Sequence, residues 1–250
     1  MNLSGRVRRE LRDTKALLRN IPSLAFTLFV VSVISMNLLA NKELVQTPTL
    51  ALDCGFCVSW ISFLTLDCIC KRYGARAGAK VSVIAILINL CVCGVFFLLS
   101  LTPGKWGEYY STGLEAVNLA LNNTIGGSWY VVLGSALAMF ISFLLNSALN
   151  GLIGGLTRRT GYAEFALRSF VSTGISQFID NLVFATVVSR FFFGWTWTQV
   201  LVCSLTGAGM ELLAEVAFSG FGYRMARAWE KDRVGQAYLD FVEKQKEAQQ

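Results

Sequence analysis

Residues 81–102 read VSVIAILINLCVCGVFFLLSLT, twenty-two positions with no charge and a single amide, Asn89. A bilayer core about 30 Å thick takes roughly 20 apolar residues of helix, so this stretch is long enough to cross a membrane. Five further windows of similar character lie at about 22–40, 55–70, 128–156, 169–193 and 198–223. The window at 55–70 is short, and the one at 128–156 is long enough to tilt or to extend beyond the bilayer. The expectation is an all-α integral membrane protein with six transmembrane helices over residues 22–223. A basic arm, 1–21, precedes them and a charged tail, 224–250, follows. Composition points the same way: 54% of the chain is hydrophobic and 15% charged, against roughly 25% charged in a soluble domain. A soluble core of 250 residues cannot enclose that much apolar surface.

Basic residues set the expected orientation, because Lys and Arg are retained on the cytoplasmic side. The segment before the first window holds six of them, the loop at 71–80 four, the loop around 158–168 three and the tail six. These 19 of the chain's 22 fall on one side and leave Lys42, Lys105 and Arg190 for the other. Both termini are therefore expected in the cytoplasm, with the protein multi-pass in a bacterial inner membrane. The net charge of +6 is then a topology signal that calls for no nucleic acid. No cleavable signal peptide is expected, since a polar stretch precedes the first window without a small-residue cleavage site. The tail carries Trp229, Tyr238, Phe241 and Val242 among many charges; it reads either as a surface helix along the interface or as a solvated one.

Several chemistries are excluded. The chain has no histidine, which rules out a His-based triad, a His-ligated metal and a His proton relay. It has no G-x-x-x-x-G-K-[ST] loop or G-x-G-x-x-G turn, so no nucleotide cofactor is expected. Cys54-x-x-Cys57 followed by Cys68-x-Cys70 loosely matches a thiolate zinc site. Most of the seven cysteines nevertheless sit in apolar windows, where a thiol behaves as a small hydrophobe, and no metal is expected. The sequon Asn122-Asn123-Thr124 falls in the expected outer loop and matters only in a secreting eukaryote.

Polar groups inside apolar helices are costly and tend to face a cavity or the bundle interior. Asn37 and Asn41 stand four apart, as do Asn146 and Asn150. Asp53 lies at the mouth of the second window and Asp67 near its inner end, with Trp60 and Phe63 on the face of Asp67. The fifth window is the richest. Thr173, Gln177 and Asp180 fall on one face, and Ser176 is four before Asp180. A carboxylate accepts two parallel hydrogen bonds and an amide both donates and accepts. Asp180 can thus take the ring N–H and amino group of a guanine-like edge, and Gln177 the neighbouring carbonyl. The candidate binding set is Asn37, Asn41, Trp60, Phe63, Asp67, Asn146, Thr173, Ser176, Gln177 and Asp180, with no catalytic residue. The alternative, interhelical hydrogen bonding at about 0.6 kcal/mol per pair, accounts for an amide more easily than for a buried Asp. Glu211 and Glu215, one turn apart, repel each other unless one holds a proton or both share a cation. They are proton-coupling candidates, with pairing to a basic residue as the alternative. Gly151, Gly155, Gly207 and Gly209 suit close helix packing.

At these residues the chain resembles the queuosine-precursor transporter family, also called the vitamin-uptake-transporter-like (VUT) family, of bacterial membrane proteins. The resemblance is carried by Asn37-Leu38-Leu39-Ala40-Asn41-Lys42, by Asp53-Cys54-Gly55, by Asp67 with Tyr73-Gly74, and by Ser176-Gln177-Phe178-Ile179-Asp180. It covers about residues 24–222. It implies an organisation similar to the substrate-binding components of energy-coupling-factor transporters, working without a dedicated ATPase. The implied substrates are 7-deazaguanine bases, namely queuine or its cyano and aminomethyl precursors, imported for tRNA-modification salvage. Two departures concern substrate choice and coupling. The last window shows Met210, Glu211 and Glu215 where the family often carries a basic residue, and the outer loop 106–127 is long.

Four functions compete on the sequence. A carrier binds its substrate between the first, second, fifth and sixth helices, and the two halves run in opposite sense, as an inverted repeat requires. A substrate-binding subunit needs a separate energising complex. A membrane enzyme would use the carboxylates as acids and bases, but these are scattered over three helices rather than clustered at one interface. An assembly protein has little use for so many intramembrane polar groups. The carrier is preferred, with a small heterocycle and membrane lipid as partners; a homo-oligomer stays open.

Overall fold

Pro22 sets the first feature of the fold. A proline lacks the amide proton and disfavours helix in the residue before it, so α1 (Leu3–Asn20) stops and α2 (Ser23–Leu39) starts on a new axis. The two axes meet at 107°. The computed structural model describes residues 3–106, 115–156 and 162–247. After α2 the chain forms an antiparallel hairpin of β1 (Glu43–Gln46) and β2 (Ala51–Asp53), pairing Glu43 with Asp53 and Gln46 with Ala51. Thr47 closes its turn: the backbone N–H donates to the Leu50 carbonyl at 2.7 Å, and the hydroxyl accepts from the Leu50 N–H at 2.9 Å.

Helices α3 (Phe56–Tyr73) and α4 (Ala75–Ser100) are separated by one residue, Gly74, at φ +89°. That conformation is open to glycine because it has no Cβ. There follow α5 (Glu115–Gly126), α6 (Trp129–Leu156) and α7 (Tyr162–Phe184). A π-helical segment, Ala185–Arg190, prolongs α7. Helix α8 (Trp197–Lys231) begins on a capping box in which Thr196 and Gln199 satisfy each other's backbone N–H groups. The last helix is α9 (Gln236–Glu247).

The six expected windows fall on α2, α3, α4, α6, α7 with its π-helical extension, and α8. Among the described residues three helical stretches are long and apolar enough to cross a membrane, Ala75–Ser100, Ala116–Ser142 and Trp197–Phe218; a bent α1–α2 pair counted as one span makes four. The all-α expectation needs a correction, because the chain carries the small β1–β2 sheet. Its strands have four and three residues, too few to impose a readable alternation. The expected outer loop also holds a helix, α5, and α8 runs without a break past residue 223 to Lys231.

Helix α3 packs among α2, α4 and α8, and α7 lies between α6 and α8. Outward faces are apolar: Val83, Leu87, Val95 and Leu98 of α4 are all exposed. A surface of this kind suits hydrocarbon rather than water. One end of the bundle closes with a cluster in which Leu17, Ile69, Tyr73, Val81 and Tyr238 are buried together. Phe241 and Val242 of α9 pack on this cluster beside α1. Polar ties reinforce it. Lys80 pairs with Glu10 at 2.8 Å and with Asp13, and Arg76 pairs with Glu10. Arg72 donates to the Val234 carbonyl at 3.0 Å and to Gln236 at 3.2 Å.

Candidate functional site

Away from that closed end, α2, α3, α6, α7, α8 and the hairpin surround one cavity with a water-accessible volume of about 100 Å3. Helix α2 contributes Met36, Asn37 and Ala40, and β2 contributes Leu52 and Asp53. Phe56, Ser59 and Phe63 come from α3, Ser135 from α6, Asp180, Asn181 and Phe184 from α7, and Cys203, Gly207 and Glu211 from α8. Three aromatic rings and three carboxylates thus face one space, with no basic side chain among the described lining residues.

The hairpin is held over this cavity. The Trp195 indole N–H donates to Glu43 of β1, and Gln199 Nε2 donates to the Thr47 carbonyl at 2.8 Å. Ala51 is buried with Trp195 and Val200. These ties bring Leu52 and Asp53 to the lining. Asp53 also accepts the Gly55 N–H at 2.8 Å, which secures the start of α3. Gly55 must be small here: a Cβ would lie 2.6 Å from the Met36 carbonyl oxygen.

A second glycine shapes the opposite wall. A Cβ on Gly207 would stand 2.8 Å from Asn181 Oδ1, so the bare α8 backbone lets the Asn181 amide lie across it. From there Asn181 Nδ2 donates to Glu211 Oε2 at 3.0 Å and to the Gln177 carbonyl at 2.9 Å. One amide therefore orients a carboxyl group of the neighbouring helix.

Of the candidates named from the sequence, Asn37, Phe63, Asp180 and Glu211 line this cavity. Ser176 and Gln177 are buried in α7 outside the lining, and Gln177 Oε1 has no hydrogen-bond partner among the described residues. Asn41 lies apart. Its Nδ2 donates to Ser128 Oγ at 3.1 Å and its Oδ1 accepts from the Tyr130 hydroxyl at 3.0 Å, tying the end of α2 to α6. Trp60 stacks on Phe218 of α8, with ring centroids 4.7 Å apart, and is not in the lining. The side chains of Asp67, Asn146, Thr173 and Glu215 lie outside the described residues. Asp53, Asn181 and Gly207 were outside the candidate binding set, although Asp53 at the mouth of the second window and Asn181 in the fifth stand out in the sequence as polar groups in apolar surroundings.

Apolar helices around a small cavity that gathers amides, aromatic rings and carboxyl groups suit a membrane protein that takes a small polar ligand. The match to known families is more particular. A family model described as "Putative vitamin uptake transporter" matches residues 53–225, more than two thirds of the chain, and the chain belongs to that family. The match takes in the cavity residues from Asp53 to Glu211 and leaves the Asn37–Lys42 motif outside. No curated protein and no solved structure matches the chain.

Proposed function

We propose that this protein imports a 7-deazaguanine base, a queuosine precursor, across the bacterial inner membrane, crossing it six times with both termini in the cytoplasm. The observation that carries the proposal is the joining of Asp53, Asp180 and Glu211 with Phe56, Phe63 and Phe184 around one cavity with no basic side chain among its described lining residues. The rings offer stacking faces to a flat heterocycle. Asp180 accepts from the ring N–H and the amino group, and Asn37 reads the carbonyl in place of Gln177, which is buried outside the lining. The excess of carboxyl groups favours a substrate that brings a positive charge, since a cation nearby stabilises each of them. The aminomethyl precursor has such an amine and the cyano precursor does not. The volume, small beside the ~300–1,000 Å3 of ordinary ligand pockets, favours a compact base over the larger queuine.

Coupling follows from the same groups. An ammonium group bound between Glu211 and Asp180 competes with protons for the same carboxylates, so binding of the amine strengthens as pH rises through the range in which they ionise. Uptake into proteoliposomes tests the proposal. The aminomethyl precursor is expected to enter faster than the cyano compound, with a rate that responds to an imposed pH gradient. Equal entry of unrelated vitamins would overturn the substrate assignment, and ligand binding without any uptake would favour a subunit that awaits an energising partner.

A further inference from the structure

Helix α1 has three sides. Asp13 and Leu17 turn inward to the closed end of the bundle and are buried. Val7, Leu11 and Leu18, spaced four and seven apart, share a second face, and they are 52%, 64% and 40% exposed. Arg8, Arg12, Lys15 and Arg19 form a third, exposed side next to the apolar one, with no ion-pair partner among the described residues. Such a helix is poorly suited to water, because its apolar stripe is uncovered. It is equally unsuited to crossing hydrocarbon, because its basic side cannot be left there.

The bend at Pro22 resolves this conflict. If α2 runs along the membrane normal, α1 at 107° to it lies close to the membrane plane. Just past the bend, Leu24, Leu28 and Val31 of α2 are also exposed, on one helical face that suits contact with lipid. We propose that α1 is an interfacial helix docked on the anionic lipid of the leaflet at this end of the bundle. Val7, Leu11 and Leu18 enter the acyl boundary, and the four basic side chains meet lipid phosphates. An amphipathic helix with an apolar stripe flanked by Lys and Arg binds an anionic surface in this way. The ion pairs of Lys80 and Arg76 with Glu10 and Asp13 tie the docked helix to α4. Lipid contact at α1 is thereby linked mechanically to the bundle.

The proposal rests on the membrane placement given above but not on the transported substrate, and the test is independent of transport. The full-length protein is placed in lipid nanodiscs, where both faces are accessible. Maleimide labelling of a Leu11→Cys variant is followed, over the background of the parent protein's own cysteines. In discs containing phosphatidylglycerol the rate is expected to fall at least tenfold relative to discs of phosphatidylcholine alone. Adding Arg8→Gln, Arg12→Gln, Lys15→Gln and Arg19→Gln should restore it. Raising the salt to 0.5 M on the single variant gives the same readout through screening (a Debye length of roughly 4 Å, interpolated) and does not depend on the multiple variant folding. Equal rates in the two lipids would overturn the proposal. So would protection that survives both charge removal and salt, or that follows the number of protein copies per disc, since either means that protein covers the stripe.

Discussion

Replacing Gly207 with alanine tests the wall of the cavity at its tightest point. The added Cβ would sit 2.8 Å from Asn181 Oδ1, and ordinary contact begins near 3.4 Å, so the amide must retreat by about 0.6 Å. Its bond to Glu211, now 3.0 Å, would lengthen towards about 3.6 Å, beyond hydrogen-bond range. The loss is worth ~1–2 kcal/mol, between the ~0.6 average for interhelical bonds in membranes and the ~1.5–3 of a bond to a charged group. Alanine returns ~0.8–1 kcal/mol through helix propensity. Gly207→Ala alone should therefore be neutral or destabilising by up to ~1 kcal/mol. In an Asn181→Ala background the obstacle is gone, and the same change should stabilise by ~1 kcal/mol. Reversible SDS unfolding in mixed micelles, run as a double-mutant cycle, should give a coupling of ~1–2 kcal/mol. If Gly207→Ala has the same effect in both backgrounds within ~0.5 kcal/mol, Gly207 does not set the position of Asn181.

Three other outcomes are expected. Asp180→Asn keeps the shape but removes one of the cavity's three carboxyl groups; affinity for the aminomethyl base should fall at least tenfold by calorimetry, about 1.4 kcal/mol, while the melting temperature holds or rises as repulsion is relieved. Trp60→Ala should lower stability by ~0.5–1.5 kcal/mol beyond its buried area through loss of the Phe218 stack and leave ligand affinity unchanged. Phe63→Ala should weaken binding, and identical behaviour of the two variants would contradict the lining described here. The hydrogen bond from Lys80, with the attraction of Lys80 and Arg76, holds Glu10 below its ordinary value of 4.5 against the opposing effect of burial. The stability this contributes is present above that value and is lost as pH falls below it through the lowered one. The protection factor of α1 amides, taken against the intrinsic exchange rate at each pH, should therefore fall in acid, and Glu10→Gln should reduce that fall.

Hydropathy located the long helices well because each is a run of apolar residues whose signal survives without knowledge of its neighbours. What it could not decide is which polar face looks inward. Thr173, Gln177 and Asp180 make one stripe on α7, but Gln177, Asn181 and Phe184 make another with the same spacing. Contact with Gly207 on α8 brings Asn181 to the wall, and that depends on helix packing rather than on periodicity. Asn37 and Asn41 also share a face on paper. Helix α2 ends at Leu39, so Asn41 leaves helical geometry and turns to Ser128 and Tyr130. Asp53 reads as a residue at a helix mouth until a hairpin with strands of four and three residues folds it into the lining. That hairpin is held by Trp195 and Gln199, some 150 positions away in the chain. The family resemblance seen in the sequence agrees with the family match over 53–225; the deazaguanine assignment goes further than that match.

Ligand-induced thermal stabilisation of the purified protein is the most direct test of the substrate assignment. The screen should include the aminomethyl and cyano precursors, queuine, guanine and several vitamins. A ligand that binds only the folded state adds about 2.7 kcal/mol at a hundredfold excess over its Kd. The account predicts a clear rise in melting temperature with deazaguanines, largest for the aminomethyl compound and reduced in Asp180→Asn. A rise with a vitamin and none with any deazaguanine would contradict it.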